Sequence, residues 1–245
     1  MSTVTSRAAV RRPRAFLRVA GPDAADFLQR MVSNDVEALA PGESCAALLL
    51  TPKSRLIAPL RVLRRRDDDF LVSTEPELGD VVRATLLRAR FAAKCELEPE
   101  QHEAWEVLGG GEMLDQPPDG EELDDAEFER RRIDAGIPRW GSELDDRVLP
   151  AEAGLDETHV SFTKGCYPGQ EPIARQRYRG KLNRRLRVFD VDGSVSPGDE
   201  IHYGEKVVGR ITSAADGVAL GYVRTDVEEQ AELTAGQRRV RPRLP

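Results

Sequence analysis

The eight residues Lys164-Gly165-Cys166-Tyr167-Pro168-Gly169-Gln170-Glu171 hold the side chains best placed for chemistry. Two glycines and a proline in so short a run require a turn of defined shape. The residues from Gln170 to Arg175 read as a helix start, with Glu171 and Pro172 where the first turn favours an acid and tolerates proline. Cys166 then lies just ahead of a helix N-terminus, with Lys164 two residues away. Both features favour the thiolate, which is the nucleophile and the metal-ligating form of cysteine. The loop is expected to be exposed. The competing reading is a buried, inert thiol, and it suits Cys45 and Cys95, which sit in apolar contexts. A metal cluster normally takes several thiolates, so one cysteine would need a partner chain or a small thiol to complete the shell. A Cys–His nucleophile would need a placed histidine, and nothing in the sequence fixes His102, His159 or His202 beside the thiol.

A second feature is basic. Between Arg175 and Arg187 seven of thirteen residues are cationic, namely Arg175, Arg177, Arg179, Lys181, Arg184, Arg185 and Arg187, with Tyr178 among them. Such a cluster could hold an anionic tail or RNA phosphate, or could be a solvated connector.

The elements that must position these residues follow from pattern. The 245-residue chain is 40% apolar and 32% charged, with a formal charge of -7. That composition fits a soluble globular protein of one large domain or two smaller ones, and argues against a surface coated overall by nucleic acid. Three cysteines at long spacings imply neither a zinc site nor a disulfide framework, and no metal site is expected. Reduced thiols and a cytoplasmic location are the default. No apolar run approaches bilayer length. The first residues carry Arg7, Arg11, Arg12 and Arg14 without an apolar core, so residues 1–13 are expected to be a flexible terminus.

Phe16 to Val19 reads as a strand, and Asp23 as the N-cap of a helix through Phe27, Leu28 and Met31, ended by Ser33-Asn34-Asp35. Strands follow at Ala46 to Leu50, Leu56 to Leu63 and Phe70 to Ser73. Leu78, Val81, Val82, Leu86 and Ala89 fall on one helical face. Lys94 to Leu97 and Ala104 to Leu108 are strand-like, and this order predicts an α+β domain. The polar stretch from Gly109 to about Asp125 reads as a loop or linker. Phe128 to Asp134 is a short helix or strand. From about Arg184, short β-rich pieces separated by Gly and Asp turns predict a small antiparallel barrel or sandwich.

Lys164 to Glu171 resembles the motif of the YgfZ family and its mitochondrial relatives in iron–sulfur protein assembly, within the glycine-cleavage T-protein (aminomethyltransferase) superfamily. Phe27-Leu28-Gln29 with Ser33-Asn34-Asp35-Val36 is similar to that family's N-terminal helix and its exit. Ile133 to Pro138, Pro150 to Leu155 and Val208 to Ser213 resemble further segments, so the likeness covers roughly residues 14 to 225.

The resemblance implies T-protein-like folate-binding α+β subdomains around a central channel over residues 14–180, followed by a C-terminal β-barrel over 181–245. It implies tetrahydrofolate or a derivative as cofactor, with Glu152 accepting hydrogen bonds from the pterin and Phe128 stacking on it. It implies a role in iron–sulfur cluster assembly or repair, including tRNA-modifying iron–sulfur enzymes, with folate and iron–sulfur proteins or assembly factors as partners and no membrane. The roles expected are Cys166 as functional thiolate, Lys164 as its electrostatic support, Glu171 as helix acid and loop anchor, and Arg175 as a nearby anion-binding cation. Where the T-protein carries a catalytic Asp-Asp pair, this chain has Ala58-Pro59, and no acid lies between Pro52 and Arg66. Aminomethyl transfer is therefore disfavoured. A folate-dependent one-carbon transferase and an RNA-binding module are the alternatives.

Overall fold

A computed structural model describes residues 8–109, 111–228 and 231–243. In chain order it forms β1 (Ala9–Arg11), β2 (Ala15–Ala20), α1 (Ala24–Met31), β3 (Ser44–Leu50), β4 (Leu56–Arg66), β5 (Asp69–Thr74), α2 (Gly79–Ala89), β6 (Glu96–Glu100), β7 (Ala104–Val107) and β8 (Gly111–Leu114). There follow α3 (Asp125–Asp134), α4 (Gln170–Arg179), β9 (Arg184–Val191), β10 (Glu200–Tyr203), β11 (Lys206–Ala215), β12 (Val218–Arg224), β13 (Leu233–Ala235) and β14 (Arg238–Pro242). Pro76–Leu78 and Pro150–Glu152 are short 3-10 turns. No described helix is long and apolar enough to cross a membrane.

The chain divides into two compact units. The first, residues 13–103 and 146–180, is built on an antiparallel sheet of order β3-β4-β5-β2-β6. Along β4 the residues Leu56, Ala58, Leu60 and Val62 are buried and their neighbours are less so, the period-two pattern of a strand with one face on a core. Helix α1 buries Ala24, Phe27 and Leu28, and α2 buries Val82 and Leu86. Two expectations are corrected. Asp23 does not cap α1 with its side chain; its carboxylate instead accepts from the Lys94 N–H at 2.7 Å, tying the start of α1 to the chain entering β6. Val81 is not on the buried face of α2 but is 40% exposed.

The second unit comprises residues 8–12, 104–145 and 181–243. It holds a three-stranded sheet of order β1-β7-β8, helix α3, and a closed barrel of order β10-β11-β12-β9-β14-β13. Phe189, Ile201, Ile211, Leu233 and Val240 fill the barrel core. Three boundary expectations change here. Within residues 1–13, Ala9–Arg11 pairs with β7 and Ala9 is fully buried, because Ala8 to Val10 supplies apolar side chains to a core; residues 1–7 lie outside the described ones. The stretch read as a linker contains β8, paired with β7. Residues 104–145 fall with the barrel rather than with the rest of 14–180.

Helix α3 explains the last point. Ile133 packs with Val218 and Leu220 of the barrel. Arg132, only 1% exposed, donates to Glu129 Oε1 at 2.6 Å, to Glu143 Oε2 at 3.0 Å and to Ser213 Oγ at 2.9 Å. Ser213 Oγ donates to Glu143 Oε1 at 2.6 Å, and Tyr222 Oη to the Glu143 carbonyl at 2.9 Å. A buried guanidinium needs this many acceptors to offset its desolvation, and they come from α3, the segment after it and barrel strand β11.

Candidate functional site around Cys166

The segment carrying Cys166 is laid down on the exit of α1. Ser33 Oγ donates to the His159 carbonyl at 2.6 Å and accepts from Leu48 N at 2.8 Å, while Ser161 N donates to the Ser33 carbonyl at 3.0 Å. Asn34 Nδ2 donates to the Ala46 carbonyl at 2.7 Å and to that of Thr158 at 3.3 Å. Short polar side chains at a helix exit are free to make such bonds because the helix no longer uses the backbone there. Burial pushes the His159 imidazole down to about 4, with the Arg61 charge adding to the shift, so it is held neutral.

Lys164 ends this strip. Its ammonium donates to the carbonyls of Gln29 at 2.5 Å, Val32 at 2.8 Å and Asn34 at 2.7 Å. These oxygens include carbonyls that the end of α1 leaves without intrahelical partners, at the negative pole of the helix dipole. An ammonium has three donors and no acceptor, so all its hydrogen-bonding capacity is committed to them. Burial pushes Lys164 down to about 8, opposed by Asp35, Cys45 and Glu37. Lys164 is thus the pin that fixes the loop to α1.

On the far side of Cys166 the loop is fixed again. Gly169 has φ +86°, and a Cβ there would stand 2.7 Å from the Thr51 carbonyl oxygen and 3.2 Å from Ser54 Cα. Only glycine fits this approach. Ser54 Oγ, itself buried, donates to the Gly169 carbonyl at 2.6 Å. The turn between β3 and β4 thus holds the start of α4. Ala58 and Pro59 follow on β4, paired with Leu49 and Leu48, and Ala58 is fully buried.

Between the two fixed points Gly165 and Cys166 are exposed. Of the three cysteines, Cys45 is half-buried, with its thiol pushed up to about 11 chiefly by burial, and Cys95 is buried and shifted upward for the same reason. Cys166 is the accessible thiol. Next to it, Tyr167 is 7% exposed, its ring centroid is 5.4 Å from Lys164 Nζ, and its hydroxyl has no hydrogen-bond partner among the described residues. Burial pushes that phenol up to about 12.

Glu171 stands exposed in the first turn of α4, where an acid complements the dipole. Arg175, one turn on, is exposed as well. Helix α4 packs against the 3-10 turn that carries Glu152. Glu152 is 9% exposed, and its Oε2 accepts from Leu149 N at 3.3 Å. Phe128 belongs to the other unit, packed with Ala8, Val10 and Leu123, with the Arg12 guanidinium 5.7 Å from its ring centroid. It is a core side chain with no ring face left for a ligand, which corrects its expected role. A pterin offers N–H donors and acceptors on one flat body; the near-buried Glu152 carboxylate and the orphaned Tyr167 hydroxyl have the chemistry to meet one or the other, and the packed Phe128 ring does not. Among the described residues no three His, Cys, Asp or Glu side chains converge to hold a metal ion.

Pattern alone missed Ser54, whose bond to Gly169 spans 115 residues, and the Tyr167 hydroxyl. The local signals were glycine and proline, which announced a turn without naming what it rests on.

Residues 183–245 match the model described as the CAF17 C-terminal beta-barrel domain. The chain is 26% identical to the tRNA-modifying protein YgfZ of Edwardsiella ictaluri, over 69% of this chain and 66% of that protein. It is 26% identical to the mitochondrial iron-sulfur cluster assembly factor IBA57 homolog of Mycosarcoma maydis, over 71% of this chain and 54% of that protein. The chain thus spans about half to two thirds of these curated relatives. Its fold matches the glycine cleavage system aminomethyltransferase T from Bartonella henselae with a TM-score of 0.82 at 16% identity, covering 96% of this chain and 84% of that one.

Proposed function

We propose that this relative of the YgfZ and IBA57 proteins, built on the aminomethyltransferase fold, binds a reduced folate and supports assembly or repair of iron–sulfur proteins through the Cys166 thiol. The observation that carries the reading is the exposure of Cys166 on a loop fixed on both sides, by Lys164 at α1 and by Gly169 at the β3–β4 turn. A thiol whose backbone is held while its sulfur is open suits ligand sharing or exchange with a partner, since no reorganisation is needed on contact.

Glu152 would hold the amino-pyrimidine edge of the folate, and the Tyr167 hydroxyl is available to an acceptor on the same ligand. A folate supplies a one-carbon carrier, and its transfer chemistry needs an acid or base at the reacting nitrogen. Strand β4 offers Ala58 and Pro59 at the matching position, so the reading is binding rather than turnover. A second reading, direct RNA contact, is favoured by one feature of α4. Arg177 stacks 4.1 Å from the Phe162 ring centroid beside Tyr178, which is 71% exposed, and such stacks serve as base platforms.

The test is genetic and calorimetric. In cells lacking the endogenous protein, Cys166→Ser should fail to restore a tRNA-modifying iron–sulfur enzyme while keeping its fold and its affinity for tetrahydrofolate. Full rescue by that variant would overturn the thiol role. Folate affinity should fall on Glu152→Ala; no saturable binding by the wild-type protein at millimolar folate would overturn the folate role.

A further inference from the structure

Helix α2 presents an unpartnered outer face that ends in an unusual residue. Phe91, just past the helix, is 94% exposed and has φ 42°, the left-handed region. A bulky side chain gains nothing there from the backbone and loses the hydrophobic gain of burial. Leu87, one turn earlier, is 37% exposed, and Val81 is exposed near the helix start. The buried face, Val82 and Leu86, is already used on the sheet, so these residues are surplus to the fold.

Charge says what covers them. Residues 83–94 contain Arg83, Arg88, Arg90 and Lys94 and no acid, in a chain of net charge -7. Elsewhere in the same unit Arg14, Arg18, Arg30, Arg64 and Arg65 pair with carboxylates, while Arg55 bonds the Arg147 carbonyl and Arg177 stacks on Phe162. Among the described residues, none of the four cations around Phe91 pairs with a carboxylate: Arg88 donates to the Ala84 carbonyl and Arg90 to that of Cys95. The acids of the helix, Glu77 in the preceding turn and Asp80, are exposed at its start beside Val81 and one turn before Arg83, so the wholly cationic part of the stretch is the one from Arg83 to Lys94. Residues 93–96 also form one wall of an open cavity of about 660 Å³, which Arg66 enters from the end of β4 and where the acids Asp68, Asp69 and Glu96 also lie. Asp69 is spoken for by Arg18 and Arg65.

We propose that the α2 face is the docking surface for an acidic amphipathic helix of a partner polypeptide. Its apolar side packs on Leu87 and Phe91, and its carboxylates meet Arg83 and Arg88. An exposed aromatic flanked along the chain by cations that no carboxylate pairs has the composition of an interface hot spot, and an excess of one sign of charge selects its partner by complementarity. This surface is separate from the folate and thiol reading and does not depend on it.

The probe is a synthetic amphipathic helical peptide with a Leu/Phe face and a Glu face, titrated into the full-length protein by fluorescence anisotropy. Its counterpart carries Lys in place of Glu. The Glu peptide should bind saturably and the Lys peptide should not. Phe91→Ala should weaken binding by about tenfold or more, as loss of a hot-spot aromatic does. The double reversal Arg83→Glu/Arg88→Glu should invert the preference between the two peptides. Both sites are exposed, so unchanged circular dichroism and melting separate lost docking from lost folding. Equal binding of both peptides, or binding indifferent to Phe91, overturns the proposal. Phe91-dependent attachment to vesicles of anionic phospholipid, or Phe91-dependent dimerisation in sedimentation, with no preference for the Glu peptide, overturns it in favour of a membrane or a second copy.

Discussion

The Lys164 ammonium donates to the carbonyl of Val32 at 2.8 Å, joining two residues 132 positions apart. The same nitrogen bonds the carbonyls of Gln29 and Asn34, so one side chain closes the end of α1 and anchors the thiol loop. Lys164→Met would leave three carbonyls short of a donor in a half-buried place. We expect a loss of about 3 kcal/mol in denaturant unfolding. Lys164→Arg should not restore it, because a planar guanidinium cannot direct donors to three converging carbonyls as an ammonium does. In both variants, faster hydrogen exchange in residues 158–169 is the specific sign.

Cys166 should react first of the three cysteines with a soluble disulfide reagent. Burial holds the Cys45 thiol at about 11 and shifts that of Cys95 upward. Cys166→Ser should remove the fast phase and leave two slow thiols. A fast phase that survives the substitution would assign reactivity elsewhere.

His159 makes stability depend on acid. Its folded pKa is about 4 against an ordinary 6.5, so between these values the unfolded chain binds the proton and the folded chain does not. Stability is therefore fully present above pH 6.5 and lost as pH falls toward 4. The loss attributable to this one group is about 2 kcal/mol, since it is only partly shielded from water. His159→Gln should flatten the acid limb of a stability–pH curve in that window.

Phe128→Leu should cost about 1 kcal/mol of stability and leave tetrahydrofolate affinity unchanged, as befits a packed core residue. Glu143→Ala should cost about 3 kcal/mol, because it strips the buried Arg132 of one of its two carboxylates and Ser213 of an acceptor.

Phe91→Gly should raise stability by about 1 kcal/mol, through relief of the left-handed backbone. Thermal melting checks this, and the same variant should lose the docking of an acidic peptide. A lower melting point would show that the ring contributes to the fold.

Period and punctuation made much of the fold legible. The alternation in β4 and the Gly and Asp turns of the barrel are local, and strands form where they read. The motif around Cys166 was legible too, because glycine and proline declare a turn wherever they stand. What failed was long-range. Nothing near Lys164 says that its three acceptors lie at the end of a helix more than a hundred residues earlier. Pattern grouped Val81 with Val82, but consecutive residues stand about 100° apart on a helix, and Val82 is buried while Val81 is exposed. The ligand role expected of Phe128 rested on the resemblance alone, and the residues that bury it include Ala8 and Val10, in a segment with no signal of order.

The chain passes between the two units four times, after residues 12, 103, 145 and 180. Synthesis therefore cannot finish either unit in one pass. Strand β1 emerges early and waits for β7, and the Arg132 guanidinium waits some eighty residues for Ser213. Removing the barrel would not release a self-sufficient N-terminal half; it would take the Ser213 acceptor from the Arg132 guanidinium and uncover Ile133, which packs on Val218 and Leu220. Deletions and two-piece expression are thus poor ways to divide this protein's labour, whereas point substitutions preserve the weave.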